Sequence, residues 1–192
     1  MTTIDRTILF LFPIALLVGC AGSQEVTLSY DSESNRSKYE TDSYTVSSVS
    51  GSGYASSQSI SMRVVARCEG KNCRPDTAEL VFSVDGSDRL SLSGVSGEII
   101  ADDAQIQWSD VEANRGFAGT TQQDDPVRVL GEFATVDVNI DQLQKMATAT
   151  SLKGSVGGKT LNLGSDVQSG IQTLLQKMRR GTSGSSSSDA AV

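Results

Sequence analysis

"ISMRVVARCEGKNCRPDTAELVFSV", from Ile60 to Val84, carries the period that decides the fold. Ile60, Met62, Val64 and Ala66 occupy every second position, and Leu80, Phe82 and Val84 do the same after an interval. A period of two places those side chains on one face of a β-strand, so each half reads as a strand with that face buried. Between them lies Cys68-Glu-Gly-Lys-Asn-Cys73, in which Gly70 and Asn72 suit a tight turn.

Downstream the same reading continues. Asp85-Gly86-Ser87-Asp88 is expected to turn a hairpin into Leu90 and Leu92. Further strands are expected at Ile99–Ile100, Ile106 to Trp108, Val127 to Val129 and Phe133 to Ile140. Trp108 reads as an amphipathic core residue, and Asn114-Arg115-Gly116 as a turn. Strands at such short intervals, parted by Gly, Asp and Asn, predict an antiparallel β-sandwich or curled sheet.

After Ile140 the period changes. Asp141, with Gln144 three residues on, has the spacing of a capping box before Leu143, Met146 and Ala147. A second helix is expected from Ser165, with Gln168 in the same relation and Val167, Ile171, Leu174, Leu175 and Met178 as its apolar stripe. Lys177, Arg179 and Arg180 suit its C-terminal dipole, and Gly181 its stop. The fold class is therefore mainly β, with two C-terminal helices (α+β). The stripe is expected to pack on the protein's own sheet; its rival use is a partner protein.

Between the helices, Lys153–Gly164 (KGSVGGKTLNLG) ends like a phosphate-binding loop. Such a loop needs Gly, four residues, then Gly-Lys-Ser/Thr. The first glycine would fall at position 153, which is lysine, and Leu161 and Leu163 alternate as a strand does. Gly157-Gly158 is instead expected to turn a hairpin joining Leu152–Val156 to Lys159–Leu163. The order strand, short helix, hairpin, terminal helix, in FATVDVNIDQLQKMATATSLKGSV (133–156) and LNLGSDVQSGIQTLLQKM (161–178), resembles the C-terminal part of uncharacterised bacterial envelope proteins. That resemblance implies a fold and no activity.

Toward the N-terminus the signal weakens. Residues 23–59 are serine-rich, yet Val26, Leu28 and Tyr30 alternate, as do Tyr44 and Val46, and two strands are expected there with DSESNRSK (31–38) as a turn. SSVSGSGYASSQ (47–58) reads as a loop. Tyr30, Tyr39, Tyr44 and Tyr54 all fall in this region, where packing on a sheet is the ordinary role and sugar stacking the alternative.

The chain opens with Arg6 and an apolar run from Ile8 to Val18 broken only by Pro13. As a helix this run would rise about 16 Å at roughly 1.5 Å per residue, too short for a hydrocarbon core of about 30 Å. A short apolar run followed by small residues is a secretory leader. Leu17-Val18-Gly19-Cys20 resembles the lipobox of bacterial lipoproteins. The resemblance implies cleavage before Cys20 and acylation of that cysteine, and two or three acyl chains anchor durably where one does not. Ala21 rather than Asp after the cysteine implies sorting to the outer membrane. The expected organisation is a signal peptide at 1–19, a lipidated Cys20 and tether at 20–25, one domain at 26–180, and a disordered Ser/Gly-rich tail at 181–192.

Removing 19 leader residues from 192 leaves 173, enough for one domain with a sizeable core. With Cys20 assigned to lipid, Cys68 and Cys73 remain, and in an exported protein the expected state of such a pair is a disulfide. Free thiols or a redox or metal pair are the alternatives, although the spacing is not Cys-x-x-Cys and no second ligand pair exists. A net charge of −7 gives no basic face for nucleic acid, and no nucleotide or cofactor is expected. There are no histidines, which removes Ser-His-Asp and Cys-His catalysis and most transition-metal sites. The acidic pairs Asp85/Asp88, Asp102-Asp103 and Asp124-Asp125 read as solvated turns, and Asp85–Asp88 lacks the pattern of a helical calcium loop.

The expected function is a non-enzymatic binding or structural module, lipid-anchored at Cys20 in the envelope, with another envelope protein as partner. One alternative is a small-ligand carrier with an apolar cavity lined by residues such as Phe82, Ile106 and Phe133. The other is a glycan hydrolase built on two carboxylates.

Overall fold

The structure is a computed structural model, and it describes residues 25–49, 58–71, 73–85, 91–118 and 128–181. The expected leader at 1–19, Cys20, Tyr54, Asn72, the expected Asp85–Asp88 turn, Asp124-Asp125 and the expected tail at 181–192 lie wholly or in part outside those residues, the one described tail residue, Gly181, being the last of a helix.

Among the described residues, eleven strands and two helices follow in chain order. They are β1 (Val26–Asp31), β2 (Arg36–Thr41), β3 (Tyr44–Val49), β4 (Gln58–Glu69), β5 (Thr77–Asp85), β6 (Val95–Ala101) and β7 (Ala104–Val111). Then come β8 (Ala113–Ala118), β9 (Arg128–Asn139), α1 (Ile140–Thr148), β10 (Leu152–Val156), β11 (Lys159–Leu161) and α2 (Ser165–Gly181). The larger sheet runs β1-β2-β4-β5-β9-β8, with β3 also on β4; the smaller runs β11-β10-β6-β7. All pairs are antiparallel, and neither sheet closes into a barrel.

The inner faces meet in one continuous core. Ile60, Met62, Val64 and Ala66 of β4 are buried beside Leu80, Phe82 and Val84 of β5, as their alternation requires. Phe82 stacks on Trp108 of the smaller sheet with ring centroids 5.6 Å apart and planes at 26°, joining the two layers. Val65 and Val81 are buried on the opposite face, where Arg63 stands across from Val81 and Glu79 across from Val65. Lys38–Glu40, Arg63–Glu40 and Arg67–Glu79 ion pairs lie on that face, and their aliphatic stems shade the valines. The chain changes sheets between β7 and β8, just after Asp110 takes a φ of 52°.

β2 and β3 share one edge of β4, end to end. Between the pairs Glu40–Val65 and Tyr44–Met62 the upper chain carries one residue too many. Thr41 repairs the ladder: its Oγ1 accepts from the Val64 amide at 3.0 Å.

Several expectations are corrected. The turn after β1 is only Ser32–Asn35, and Arg36, Ser37 and Lys38 belong to β2. That strand buries Ser37, Tyr39 and Thr41, and two polar residues among three hid its period. Leu28 and Tyr30 share Val26's face but are 50% and 37% exposed, since α2 packs over the start of β1, while at its far end Tyr30 meets Asn35, to which its Oη donates at 2.9 Å, and the Lys71 ammonium 5.0 Å from its ring. Leu90 lies outside the described residues, and Leu92 is not in a strand paired with β5, whose two edges are taken by β4 and β9. Leu92 is nevertheless a core residue.

Asn114, Arg115 and Gly116 lie in β8, paired with β9, and not in a turn. The strands expected at Val127–Val129 and Phe133–Ile140 are one strand, β9, held through Gly131 by its pairing with Asp85; Ile140 opens α1. β11 ends at Leu161, although Leu163 is still buried.

The helix starts also differ. The cap of α1 is Asn139, two residues before Asp141. Its Oδ1 accepts from the Gln142 amide at 2.8 Å, and Gln142 Oε1 accepts from the Asn139 amide at 2.9 Å. The spacing was right and the register was wrong, because Asn-x-x-Gln and Asp-x-x-Gln occur side by side. Gln168 makes no capping box; its Nε2 donates to the carbonyls of Met146 and Ala149, and Gln172 donates to Ala147. The two glutamines satisfy carbonyls at the C-terminal end of α1 that the helix itself leaves open. The α2 stripe of Val167, Ile171, Leu174, Leu175 and Met178 is buried against the protein's own core.

The Gly157-Gly158 turn is as expected. Val156 pairs with Lys159, and the glycines take φ of 55° and 72°, the left-handed region a two-residue hairpin turn demands.

Candidate functional site

The smaller sheet presents the candidate site on its outer face. Ile99, Ala101, Ile106 and Val156 point into the core, so alternation turns Ser96 and Glu98 of β6, Gln107 and Ser109 of β7, and Ser155 of β10 outward. These five residues, with Gly97 and Trp108, line an open groove of about 430 Å³.

Gly97 is what lets the sheet take this shape. It stands opposite Trp108, next to a shift in register between Val95 and Gly97. A Cβ on Gly97 would lie 2.3 Å from Trp108 Cζ2 and 2.6 Å from the Ser155 carbonyl oxygen. The indole therefore crosses the bare glycine backbone, held from the other side by Phe82. The sequence signal for this site is a glycine, Gly97, within the alternating strand Val95–Ala101.

The groove's chemistry is that of hydrogen bonding. Three hydroxyls, an amide and one carboxylate line it. Glu98 accepts from Gln105 Nε2 at 2.8 Å, which fixes the carboxylate on the face. With one carboxylate among its lining residues, the groove lacks the facing pair that glycoside hydrolysis uses. A smaller cleft of about 240 Å³, lined by Arg74, Pro75, Asp76, Asn139, Ile140 and Asp141, lies at the start of α1.

The residues singled out in the sequence fall elsewhere. Cys68 and Cys73 form a disulfide, with sulfurs 2.03 Å and Cα atoms 5.8 Å apart. Its loop is tied to the β1–β2 hairpin: the Gly70 amide donates to Asn35 O, Ser37 Oγ to Gly70 O, and Tyr39 Oη to Cys73 O. Asp102 is a structural clamp, its carboxylate accepting from the amides of Thr150 and Ser151 at 3.1 and 2.8 Å; Asp103 is exposed. Phe82 and Ile106 are core residues, and Phe133 is half-buried on the larger sheet's outer face, so none of the three lines the groove.

Glu132 was not anticipated. It is buried on the inner face of β9, and its two oxygens accept from Ser91 Oγ at 3.1 Å and the Leu92 amide at 2.7 Å. It pins the segment leading into β6. Among the described residues no three of Cys, Asp or Glu gather as a metal site would require, and no helix is long and apolar enough to cross a membrane.

Comparison with known proteins gives no match to a family model, to a curated protein or to a solved structure.

Proposed function

We propose that the chain is a lipid-anchored envelope protein, acylated on Cys20 and sorted to the outer membrane, whose β-rich body is a non-enzymatic binding or structural module. The observation that carries this reading is the Leu17-Val18-Gly19-Cys20 motif at the end of a short apolar leader, six positions before β1. Six residues span at most about 20 Å, at roughly 3.4 Å each, so an anchor at Cys20 would hold the body close to the bilayer. The groove around Gly97 is the binding face in this reading, since its hydroxyls, amide and single carboxylate suit recognition of a polar partner.

Metabolic labelling with a clickable palmitate analogue tests the anchor. The parent chain incorporates label and sediments with membranes, and Cys20→Ser loses both properties. An unlabelled parent chain, or label that survives Cys20→Ser, would overturn the proposal.

A further inference from the structure

The edges of the two sheets are not treated alike. A free strand edge is a template for pairing, and proteins blunt it with a bulge, a short strand, a Pro or Lys, or a cover. In the smaller sheet β11 has only three residues, and β7 carries a register shift and a left-handed Asp110. In the larger sheet β8 carries a shift at Gly116/Phe117. β3 has a shift at Thr45/Ser47, and the Asn162 amide donates to its Val46 carbonyl at 2.5 Å.

β1 is guarded only at its start, where Lys177 of α2 donates to the Val26 carbonyl. It pairs with β2 through six consecutive residues without a shift, contains no Pro, Lys or Arg, and has no strand on its other side among the described residues. Among the described residues it also carries the two large apolar side chains that stand exposed, Leu28 and Tyr30.

We infer that β1 is a self-association edge: two copies of the chain pair antiparallel through Val26–Asp31 about a two-fold axis at Ser29, fusing two larger sheets into one. The sequence of the strand selects this register. A two-fold axis perpendicular to the sheet keeps inner face with inner face, so only residues of equal parity can stand opposite. With Ser29 on the axis, Leu28 faces Tyr30 of the second copy and Tyr30 faces its Leu28, so the exposed apolar residues cover one another. Thr27 then faces Asp31, and within Val26–Asp31 no like charges are opposed. With Leu28 on the axis, Tyr30 would face Val26, which is already buried, and would lose its exposed apolar partner. With Tyr30 on the axis, Leu28 would face Ser32 and lose its apolar partner.

The inference goes beyond the proposed function and does not depend on acylation. Cysteine crosslinking of the full chain in its host membrane tests it. Ser29→Cys places the new thiol opposite its own symmetry mate, within the roughly 4.4–6.8 Å between Cα atoms that a disulfide spans. Mild oxidation then yields a band of twice the mass on a non-reducing gel. Thr27→Cys would sit four residues from its mate, about 13 Å along the strand, and gives no such band. Adding Leu28→Lys to Ser29→Cys weakens association about tenfold and removes most of the band, while far-ultraviolet circular dichroism is unchanged. Light scattering of the detergent-solubilised parent chain supplies a readout free of mutation, and gives the mass of two copies. A monomeric parent, equal crosslinking at Thr27→Cys, indifference to Leu28→Lys, or capture of a different protein at Ser29→Cys would each overturn the inference.

Discussion

The two ends of the described chain lie side by side and are built by opposite rules. α2 buries its whole apolar stripe, with Ile171 and Leu174 fully enclosed. β1 alternates just as regularly and buries Val26 alone. They touch where Lys177 donates to the Val26 carbonyl, while Leu28, two residues on, is half exposed. An apolar period therefore says which side chains share a face. It does not say that anything lies against that face.

Truncation gives the sharpest contrast between the two ends. Leu174→Ala is expected to destabilise by about 2–5 kcal/mol, because the core cannot close over the lost volume. Leu28→Ala is expected to stay within about 0.5 kcal/mol at low protein concentration, as its side chain already meets solvent. Denaturant titration of both variants checks the difference, and similar costs would erase the comparison.

Next in size is the disulfide, which fastens the β1–β2 end where packing does not. Replacing Cys68 and Cys73 with Ser is expected to cost about 2 kcal/mol. Hydrogen exchange should show faster opening at Gly70 and around Ser37, with α2 unaffected, since only the former hydrogen-bond to the loop.

The helical end has its own test in the register of the α1 cap. Asn139→Ala should cost about 1 kcal/mol by releasing the Gln142 amide, whereas Asp141→Ala, which loses only a favourable dipole interaction, should cost roughly half that or less. Equal costs measured by thermal unfolding would return the cap to Asp141.

The smallest effect at neutral pH belongs to Tyr44, on β3. Burial first, and then the negative charges of Asp42 and Asp166, push its hydroxyl up to about 12 from an ordinary 10.0. Above the unfolded value the unfolded chain loses that proton while the folded chain keeps it, so stability is complete below pH 10 and declines between pH 10 and 12. Burial raises Tyr39 in the same direction. Tyr44→Phe should flatten the decline, read by chemical denaturation across that window, and an unchanged slope would assign the decline to other groups.

How much of this was legible depends on whether one strand or helix sufficed to state it. β4, β5, the Gly157-Gly158 hairpin, the Cys68–Cys73 bridge and the α2 stripe each follow from residues close together in sequence. β2 was hidden because Ser37 and Thr41 are buried polar residues, whose partners, the Gly70 carbonyl and the Val64 amide, are far along the chain. The pairing of β5 with β9 was hidden because any alternating strand is an acceptable neighbour for another. The groove was hidden because Ser96, Glu98, Gln107, Ser109 and Ser155 come from three strands and carry no shared motif.

By itself the sequence determined the periods of β4, β5 and α2, the Gly157-Gly158 turn and the absence of histidine, because steric and solvation preferences act on each residue and its near neighbours. Only the tertiary structure decided which of those faces would be covered. It gave Gln168 to the end of α1, Glu132 to Ser91 and Leu92, and Gly97 to the indole of Trp108, and it left Leu28 and Tyr30 partly exposed on an edge strand. Those outcomes depend on which distant segment arrives at a site and how far it extends, quantities that no local pattern contains.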